Sequence, residues 1–505
     1  MRRILLLIAL GLVVAATSNA QTGTPTPVVT AGVNNILYIG NPVTDIKWTA
    51  PMYYTYSSDL GAQFNYAEAA LPPNGGEIDV YTPKNSSGTD PTYTFTTPMV
   101  FNKTVKLKCV RGGYANGSLS PPHGGPINSH TTTLLSWGGS SSVPPIQIGT
   151  PIALTTVSVS GTSGTLTCAV ANCTMYAGQQ IAIYNSSSSG LNYNVNTGTP
   201  AIYINAQTGA NTYTLTLPVS LTATGSGGSF SIIGGALGSS IEGCQFTDAS
   251  GTPAPPAFID IDGFSNDVLL QDVVIDKPPV LATGGAIRYG KTFPVVGQKC
   301  RETVVRTAGL WGYELDNITA GFVGYGCRSL QNNSGEWVIG NLSNGLVESF
   351  DCFGCTAEAG ANGGESGIVI YNAISFHWYG GYFEHAGNNT YALIIPSNAA
   401  SASNVLVDGS YVLGYPCDTA CGLGVPTSAF LTDFSPAQFT VNNNSIRGSY
   451  NSGGFIVNNQ ADARAMIEGN DANVGVTFNQ YSNAATAIYC GNTINGVLQT
   501  PCGAP

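Results

Sequence analysis

The sequence predicts an all-β protein, built mainly as a right-handed parallel β-helix with an N-terminal capping helix and a small inserted β-sandwich-like domain. Short strands recur every 25 to 35 residues from about residue 237, two successive units align without a gap, and only one convincing helical pattern occurs. Such a unit is too short for an ordinary strand–helix–strand crossover, but it suits one coil of three short strands and three turns.

The first twenty residues have the pattern of a secretory signal peptide. Arg2 and Arg3 precede an apolar run from Ile4 to Ala16, and small residues lead up to Ala20. The run is too short to span a bilayer, so we exclude residues 1–20 from the fold. We expect a secreted, extracellular or periplasmic protein without membrane insertion.

Composition narrows the possible partners. Without Arg2 and Arg3 the chain has 15 basic residues against 28 acidic ones, which disfavours nucleic-acid binding because phosphate recognition needs a basic surface. A hydrophobic content of 43% provides enough apolar area for a large core and argues against disorder.

Twelve cysteines in an exported chain predict disulfides. Four pairs are close in sequence: Cys168 with Cys173, Cys352 with Cys355, Cys417 with Cys421, and Cys490 with Cys502. We interpret them as local staples on turns. A zinc site made from the Cys352 and Cys417 pairs is the alternative.

Residues 21–151 form the N-terminal segment, with the capping helix and the first coils. The helix is predicted at Asp59 to Leu71, because Asp59 can cap it, apolar residues share one face, and Pro72-Pro73 ends it. It would cover the open first coil of the stack. The strands expected next are Glu77 to Tyr81, Tyr93 to Thr97, Val105 to Val110, Thr133 to Trp137 and Ile146 to Ile148.

Residues 152–234 interrupt the succession of short β-helix strands. This segment is rich in Thr, Ser and Gly, has almost no charge and contains several alternating stretches, so we predict a small β-sandwich or barrel-like insertion. The expected strands are Thr155 to Val159, Gln180 to Tyr184, Ala201 to Ile204 and Thr212 to Leu217.

Residues 235–505 are predicted to form the main β-helix and its C-terminal cap. Ser349 to Glu358 aligns with Ser375 to Glu384 at a period of 26 residues. If each unit is one coil, equivalent residues stand one strand spacing apart on adjacent coils.

The chain resembles the pectate lyase-like β-helix superfamily, particularly its tailspike-like and exported bacterial polysaccharide-acting branch. The resemblance rests on Asp59 to Gln63 leading through Leu71 to Val80, and on Gly380 to Glu384. It implies the fold and a polysaccharide substrate. It transfers no catalytic residue, because the family's catalytic motifs are absent.

The repeat places His377 beside Asp351 and Glu384 beside Glu358, and these four residues are our candidate catalytic groups. An Asp fixes the tautomer of a neighbouring His, and stacked carboxylates raise the pKa of one partner toward that of a general acid. Trp378, Tyr379 and Tyr382 would offer faces for sugar stacking. Alternatively, the acids cap backbone amides or hold a structural cation.

A second candidate site is basic. Seven of the 17 basic residues fall between 277 and 328: Lys277, Arg288, Lys291, Lys299, Arg301, Arg306 and Arg328. We predict that Arg288, Lys291, Arg301, Arg306 and the nearby Trp311 bind substrate. Such a patch would suit a uronate polymer, whose β-elimination needs cations to neutralise the carboxylate. Alternatively, these side chains pair with Glu302, Glu314 and Asp316.

We therefore expect a secreted glycoside hydrolase or polysaccharide lyase with a lateral groove at 288–390 and the 152–234 insertion as an accessory module. The alternative is a non-catalytic carbohydrate-binding or adhesion protein. No organic cofactor is expected, whereas structural or catalytic calcium is left open, as are the sugar and the oligomeric state.

Overall fold

The computed structural model describes residues 36–40, 59–81, 92–110, 134–140, 142–169, 173, 175–193, 200–248, 255–276, 284–306, 311–330, 332, 335–341, 345–358, 366–386, 390–415, 428–432, 438–450, 454–458, 464–473 and 487–500. The predicted signal peptide lies outside these residues. Within them, no helix combines the length and apolar character that a bilayer crossing requires.

The capping helix runs from Leu60–Ala70, as predicted to within one residue. The Asp59 carboxylate accepts the backbone N–H of Ala62 at 2.9 Å and so caps the helix N-terminus. At the other end, the buried Lys103 ammonium donates to the backbone carbonyls of Glu68 and Leu71. A cation at these carbonyls complements the helix dipole, so the helix is fixed at both ends.

Three long sheets form a right-handed parallel β-helix, and from Gly76 to Asn458 each coil contributes a strand to sheet A, sheet B and sheet C in that order. Sheet A contains Ile36–Gly40, Gly76–Tyr81, Val105–Val110, Ser240–Glu242, Leu269–Gln271, Val295–Arg301, Ile318–Tyr325, Val347–Phe353, Asn372–Tyr379, Ser401–Asp408, Gln438–Asn442, Arg464–Glu468 and Ala487–Cys490. Sheet B contains Thr92–Phe95, Leu134–Trp137, Gln245–Asp248, Val274–Asp276, Val304–Arg306, Arg328–Leu330, Thr356–Glu358, Tyr382–Ala386, Tyr411–Tyr415, Ser445–Gly448, Asp471–Ala472, Asn492–Ile494 and Val497–Thr500. Sheet C contains Met99–Phe101, Ile146–Ile148, Ile259–Ile261, Gly285–Tyr289, Trp311–Leu315, Gly335–Ile339, Ile368–Ile370, Leu393–Ile395, Ser428–Thr432 and Gly454–Asn458.

The predicted register of the 26-residue repeat is confirmed. Val347–Phe353 pairs in parallel with Asn372–Tyr379, and Asp351 lies opposite His377. In sheet B, Glu358 lies opposite Glu384. The ungapped alignment therefore identified true neighbours on adjacent coils.

The interior of the β-helix is filled by stacked side chains from successive coils. Phe322, Phe350 and Phe376 form one such column, with ring centroids 5.2 and 4.7 Å apart and nearly parallel planes. All three are fully buried. Val405 and Phe439 continue the column on the next two coils, so it extends the core along the axis.

The turn from sheet A to sheet B is held differently along the molecule. Disulfides lie beside it at Cys109–Cys244, Cys300–Cys327 and Cys352–Cys355. Further on, Asn444, Asn470 and Asn492 are buried and hydrogen-bond to one another through their side-chain amides. The asparagine amides form hydrogen bonds with backbone groups at the turn that the sheets leave unpaired.

The predicted Cys352–Cys355 and Cys168–Cys173 disulfides are present, and the first of them removes its two sulfurs from the zinc alternative. Cys490 is disulfide-bonded as well. Cys417, Cys421 and Cys502 lie outside the described residues. The bridges between cysteines distant in sequence, Cys109–Cys244 and Cys300–Cys327, do not follow from spacing, which reveals only local bridges.

The inserted segment forms a closed antiparallel barrel rather than two packed sheets. Its strands, in barrel order, are Ile202–Gln207, Thr212–Ser226, Ile152–Cys168, Ser229–Ile232 and Gln180–Tyr184, and a short 3-10 helix spans Ser189–Leu191. Two of these strands are much longer than predicted, because the predicted part of each pairs with the added part of the other, 212–216 with 163–167 and 222–226 with 156–160. The barrel core is separate from that of the β-helix.

The barrel contacts the β-helix through aromatic rings. Tyr184 packs on Phe293 with centroids 5.0 Å apart, and Tyr193 packs edge-on against Phe264 at 4.7 Å. The Ser231 hydroxyl donates to the carbonyl of Gly263 at 2.6 Å. The barrel is thus attached beside the coils that begin the uninterrupted part of the stack.

Candidate active site

Adjacent coils of sheet A carry ionisable side chains on their outward face. Asp351 lies opposite His377 in the parallel ladder. On the same face, Ser349 and Asn404 flank Ser375 on the coils before and after it. Alternate residues of a strand share a face, so Ser375 and His377 point the same way. The Asp351 and His377 side chains are 29% and 22% exposed, which leaves them open to a ligand.

His377 is held by hydrogen bonds at both ring nitrogens. Its Nδ1 lies 2.8 Å from Oδ1 of Asp351, and its Nε2 lies 3.0 Å from Oγ of Ser375 and 3.2 Å from Nδ2 of Asn404. Ser349 donates to the other Asp351 oxygen at 2.9 Å. Because the carboxylate accepts the proton on Nδ1, Nε2 carries the lone pair and can act as a base.

An exposed aromatic row runs beside these groups. Tyr325, Phe353 and Tyr379 occupy equivalent positions on successive coils, with centroids 5.2 and 5.0 Å apart and nearly parallel rings. Tyr325 is 52% and Phe353 38% exposed. The row ends at Arg301 on one side and Asp408 on the other. Since the rings cover one another's faces, a ligand meets mainly their edges and the outer faces of the end rings.

Sheet B carries a second set of ionisable side chains, in addition to Asp351 and His377 on sheet A. Glu358 and Glu384 are opposite each other and partly exposed, and the Tyr382 hydroxyl donates to Oε2 of Glu384. Burial raises the pKa of Tyr382, helped by the hydrogen bond to Glu384 and by both carboxylate charges. The phenol therefore stays a neutral donor that orients Glu384. Tyr382 also stacks on Tyr411, which is 41% exposed.

A two-residue turn connects the two groups. Gly380 and Gly381 both have positive φ, and a Cβ on Gly381 would lie 2.2 Å from the carbonyl oxygen of Cys355. Glycine is required at Gly381, because this close approach leaves no room for a side chain. The turn thus brings Tyr379 at the end of the sheet A strand close to Tyr382 at the start of the sheet B strand.

The predicted basic site is not a single surface. Arg288 lies on sheet C and donates to Asp260 at 2.8 Å. Lys291, just after the same strand, lies 3.2 Å from both Glu314 and Asp316. Both cations are therefore neutralised locally, and the partners of Lys291, Glu314 and Asp316, are acids expected in the alternative interpretation.

The remaining basic residues that the structure describes lie on the other two sheets. Arg306 lies on sheet B and forms a buried pair with Asp276 at 3.0 Å. Arg301 lies on sheet A at the end of the aromatic row, and Lys299 pairs with Asp267 at 2.7 Å. Lys277 lies outside the described residues. The basic residues predicted to line one groove at 288–390 therefore lie on three different sheets of the β-helix.

The two tryptophans proposed to bind sugar do not lie on the outward face beside His377. Trp378 is fully buried, with its ring among Trp337, Phe350 and Phe383. It alternates with His377 along the strand and therefore points inward. Trp311 is half-buried on sheet C. Of the stacking candidates, Tyr379 and Tyr382 are partly exposed at this site.

Sequence reasoning missed a buried carboxyl group, Glu336. It is fully buried, and it accepts hydrogen bonds from the Ser329 hydroxyl and, at 3.0 Å, from the backbone N–H of Asn332. Burial raises the pKa of Glu336 to about 8, and the charge of Glu358 adds to the effect. Nothing in the local sequence distinguishes Glu336 from an exposed strand residue.

Five other residues near these groups were also not predicted from the sequence: Ser375, Asn404, Tyr325, Phe353 and Tyr411. A signal for Ser375 was available, because residues two apart on a strand share a face and Ser375 precedes His377 by two. Phe353 lies within the ungapped pair, opposite Tyr379, so the same alignment could have found it. Asn404, Tyr325 and Tyr411 required extending the register beyond that pair, where the spacing between coils varies. Among the described residues, no group of three or more His, Cys, Asp or Glu is arranged to hold a metal ion.

No protein-family model matches the chain. No curated protein matches it in sequence either. The β-helix fold implied by the resemblance is present, whereas membership of the pectate lyase-like superfamily has no support from a family model.

Solved structures similar to this chain include two phage tailspikes. The tailspike protein gp49 from Pseudomonas phage LKA1 has 13% identity and a TM-score of 0.32, over 87% of this chain and 72% of that one. The gp54 tailspike of Acinetobacter baumannii bacteriophage AP22, solved with a capsular saccharide, has 9% identity and a TM-score of 0.33, over 86% and 74%. A structure described as a glycoside hydrolase has 10% identity and a TM-score of 0.38, over 91% and 96%. Identities this low carry no function over to the present chain.

Proposed function

We propose that this chain is an extracellular polysaccharide-acting protein that cleaves its polymer as a glycoside hydrolase, with Glu358 and Glu384 as the catalytic carboxyl pair. The observation that carries the proposal is their opposition on adjacent sheet B strands, with the Tyr382 hydroxyl donated to Glu384. Glycoside hydrolysis needs two carboxyl groups on either side of one bond, and two adjacent coils supply them.

The spacing of the pair favours a retaining mechanism. Equivalent residues on neighbouring parallel strands lie about 4.8 Å apart, close to the roughly 5 to 5.5 Å between the carboxyl groups of retaining enzymes. Glu384, which Tyr382 orients, would attack the anomeric carbon. Glu358 would protonate the leaving oxygen and then take the proton from the water that releases the sugar.

The aromatic residues around the pair would bind the polymer. Tyr411 stacks on Tyr382 beside the carboxylates, and the row of Tyr325, Phe353 and Tyr379 continues across the turn. Apolar ring surface next to hydrogen-bonding groups suits sugars, which have both apolar and polar faces. The polymer would therefore lie across the sheet A to sheet B corner of the middle coils.

A lyase mechanism is less well supported. β-Elimination needs cations free to neutralise a uronate carboxylate, but Arg288, Lys291 and Arg306 already pair with acidic side chains. Arg306 also lies on a different sheet from Arg288 and Lys291. Ion-paired cations of this kind contribute little net positive charge to a substrate.

The test is a panel of neutral and uronic polysaccharides, followed both by reducing-end release and by the absorbance of unsaturated products. We expect reducing ends without that absorbance, and NMR of the first product should show a retained anomeric configuration. Glu384→Gln and Glu358→Gln should each lower turnover by about 10² to 10⁴-fold, because each removes an ionisable group from the reaction.

Glu468→Gln is the matched control, since Glu468 is an exposed glutamate on the outward face of a C-terminal coil. It should cleave at the rate of the unmodified protein. If no polysaccharide is cut by either readout, the hydrolase is refuted. Binding on a glycan array without cleavage would then favour the adhesion alternative, and loss of that binding on deletion of residues 152–234 would assign the contacts to the barrel.

A further inference from the structure

We infer that the outward face of sheet A holds a second catalytic site, a Ser375–His377–Asp351 triad that hydrolyses short acyl esters carried on the polysaccharide. The geometry is a continuous hydrogen-bonded chain: Ser375 Oγ lies 3.0 Å from His377 Nε2, and His377 Nδ1 lies 2.8 Å from Asp351 Oδ1. A hydroxyl, an imidazole and a carboxylate linked in this order activate the serine as a nucleophile, on any fold that presents them.

The fold builds this chain from two coils. Ser375 and His377 share a face two residues apart on one strand, and Asp351 is the register partner of His377 on the strand before. Ser349 fixes the second Asp351 oxygen at 2.9 Å. The three groups are therefore carried on rigid strands rather than on loops, which keeps the nucleophile and base aligned.

Asn404 supplies a donor beside the nucleophile. It is the register partner of Ser375 on the following strand, it is exposed, and its side-chain amide lies 3.2 Å from His377 Nε2. An amide N–H next to the serine can turn to a carbonyl oxygen bound there. Side-chain amides stabilise oxyanions in this way, and removing one costs about 10² to 10³ in turnover.

The reaction balances with water as the only co-reactant. Ser375 Oγ bonds to the ester carbonyl carbon while its proton passes to His377 Nε2, and the oxyanion accepts from Asn404. Collapse breaks the bond to the sugar oxygen, which takes the proton from His377 and leaves acyl-Ser375. Water then attacks the acyl carbon, gives its proton to His377, and releases the carboxylic acid as Ser375 regains its proton.

The surroundings indicate a small acyl group on a large, exposed alcohol. Ser375 and His377 lie on an open outward face, with the Tyr379 ring centroid 5.8 Å from the His377 ring. That face continues into the row of Tyr325, Phe353 and Tyr379, where we place the polymer. The assignment of the alcohol to a polysaccharide rests on the proposed function, but the triad itself does not.

The experiment measures release of p-nitrophenol from p-nitrophenyl acetate and of acetate from an O-acetylated polysaccharide by the full chain. We expect Ser375→Ala and His377→Ala each to lower turnover at least about a hundredfold. The double variant should be no worse than either single one, because the two residues act as a unit. Ser403→Ala, which alters an exposed serine on the neighbouring strand, should retain full activity.

A fluorophosphonate should add its mass to one serine, and peptide mapping should locate it at Ser375. Asp351 acts through His377 as a positioning residue, so Asp351→Asn should lower kcat with little change in KM. Ester hydrolysis that survives Ser375→Ala, or labelling elsewhere or nowhere, overturns the triad. Glu384→Gln should leave ester hydrolysis intact, and Ser375→Ala should leave reducing-end release intact, so the failure of either proposal can be recognised separately.

Discussion

The middle coils, residues 318–386, and the C-terminal coils, residues 438–494, share one frame but differ on the outside. In the position of His377 on sheet A, the C-terminal coils carry Thr440 and Met466. The inward neighbours of these residues on sheet A are apolar and buried in both regions: Phe376 and Trp378, Phe439 and Val441, Ala465 and Ile467. Since only the inward residues must stack, the outward positions are free to vary, and in the middle coils they include the hydrogen-bonded Asp351 and His377.

The turns between sheets A and B show the same contrast. In the middle coils a disulfide and Gly381 allow close backbone contact. In the C-terminal coils the buried amides of Asn444, Asn470 and Asn492 hold the turn. The stability of the C-terminal coils should therefore depend on polar groups that the middle coils do not need.

The largest effect expected from this contrast is on Asn470. Its side chain donates to the carbonyl of Val441 at 2.8 Å and to Asn492 at 2.9 Å, and accepts from the amide groups of Asn444. Asn470→Ala should lower the free energy of unfolding by about 4 kcal/mol, because roughly four hydrogen bonds of about 1 kcal/mol are lost and their partners stay buried. Urea denaturation measures this loss. The exposed Gln438→Ala is the control, and a loss below about 1 kcal/mol for Asn470→Ala would contradict the role of the ladder.

A smaller effect, and one that depends on pH, is expected at Glu336 in the middle coils. Its pKa is about 8 in the folded chain against an ordinary value of 4.5, so the folded state keeps a proton that the unfolded state releases. Stability therefore falls as pH rises through this window, by about 1.4 kcal/mol per pH unit. Glu336→Gln cannot ionise at this position, so its stability should not show the part of the decline with pH that Glu336 causes.

Urea denaturation at pH 5.5, 6.5 and 7.5 compares Glu336→Gln with the unmodified chain. The exposed Glu468→Gln should keep the original dependence on pH. Parallel curves for the Glu336 variant and the unmodified chain would show that Glu336 is ionised in the folded protein.

The smallest expected effect is a difference in polysaccharide binding between the outward face of the middle coils and that of the C-terminal coils. Phe353→Ala removes the central ring of the exposed row and should weaken polysaccharide binding about fivefold, on the order of 1 kcal/mol. Met466→Ala removes a side chain of similar exposure, 40% against 38%, from a C-terminal coil and should change nothing. Calorimetric titration measures both. Equal losses would mean that the polymer does not prefer the middle coils.

The sequence by itself determined the capping helix, the repeat and the neighbours across coils. Asp351 beside His377 and Glu358 beside Glu384 followed from one ungapped period, because stacked parallel strands place equivalent positions together. The hydrogen bond between Asp351 and His377 was expected on the same grounds.

Only the tertiary structure decided what lies together within a coil. Arg288, Arg306 and Arg301 are close in sequence but lie on three different sheets. The chain makes a turn between one sheet and the next, and the length of the repeat does not encode the direction of that turn. The same applies to Glu336, which lies at the start of the sheet C strand Gly335–Ile339 and is buried by its packing against Ser329 and Asn332. A repeat length fixes the contacts along the axis of a β-helix, whereas the contacts around the axis depend on how each turn bends and on what it buries.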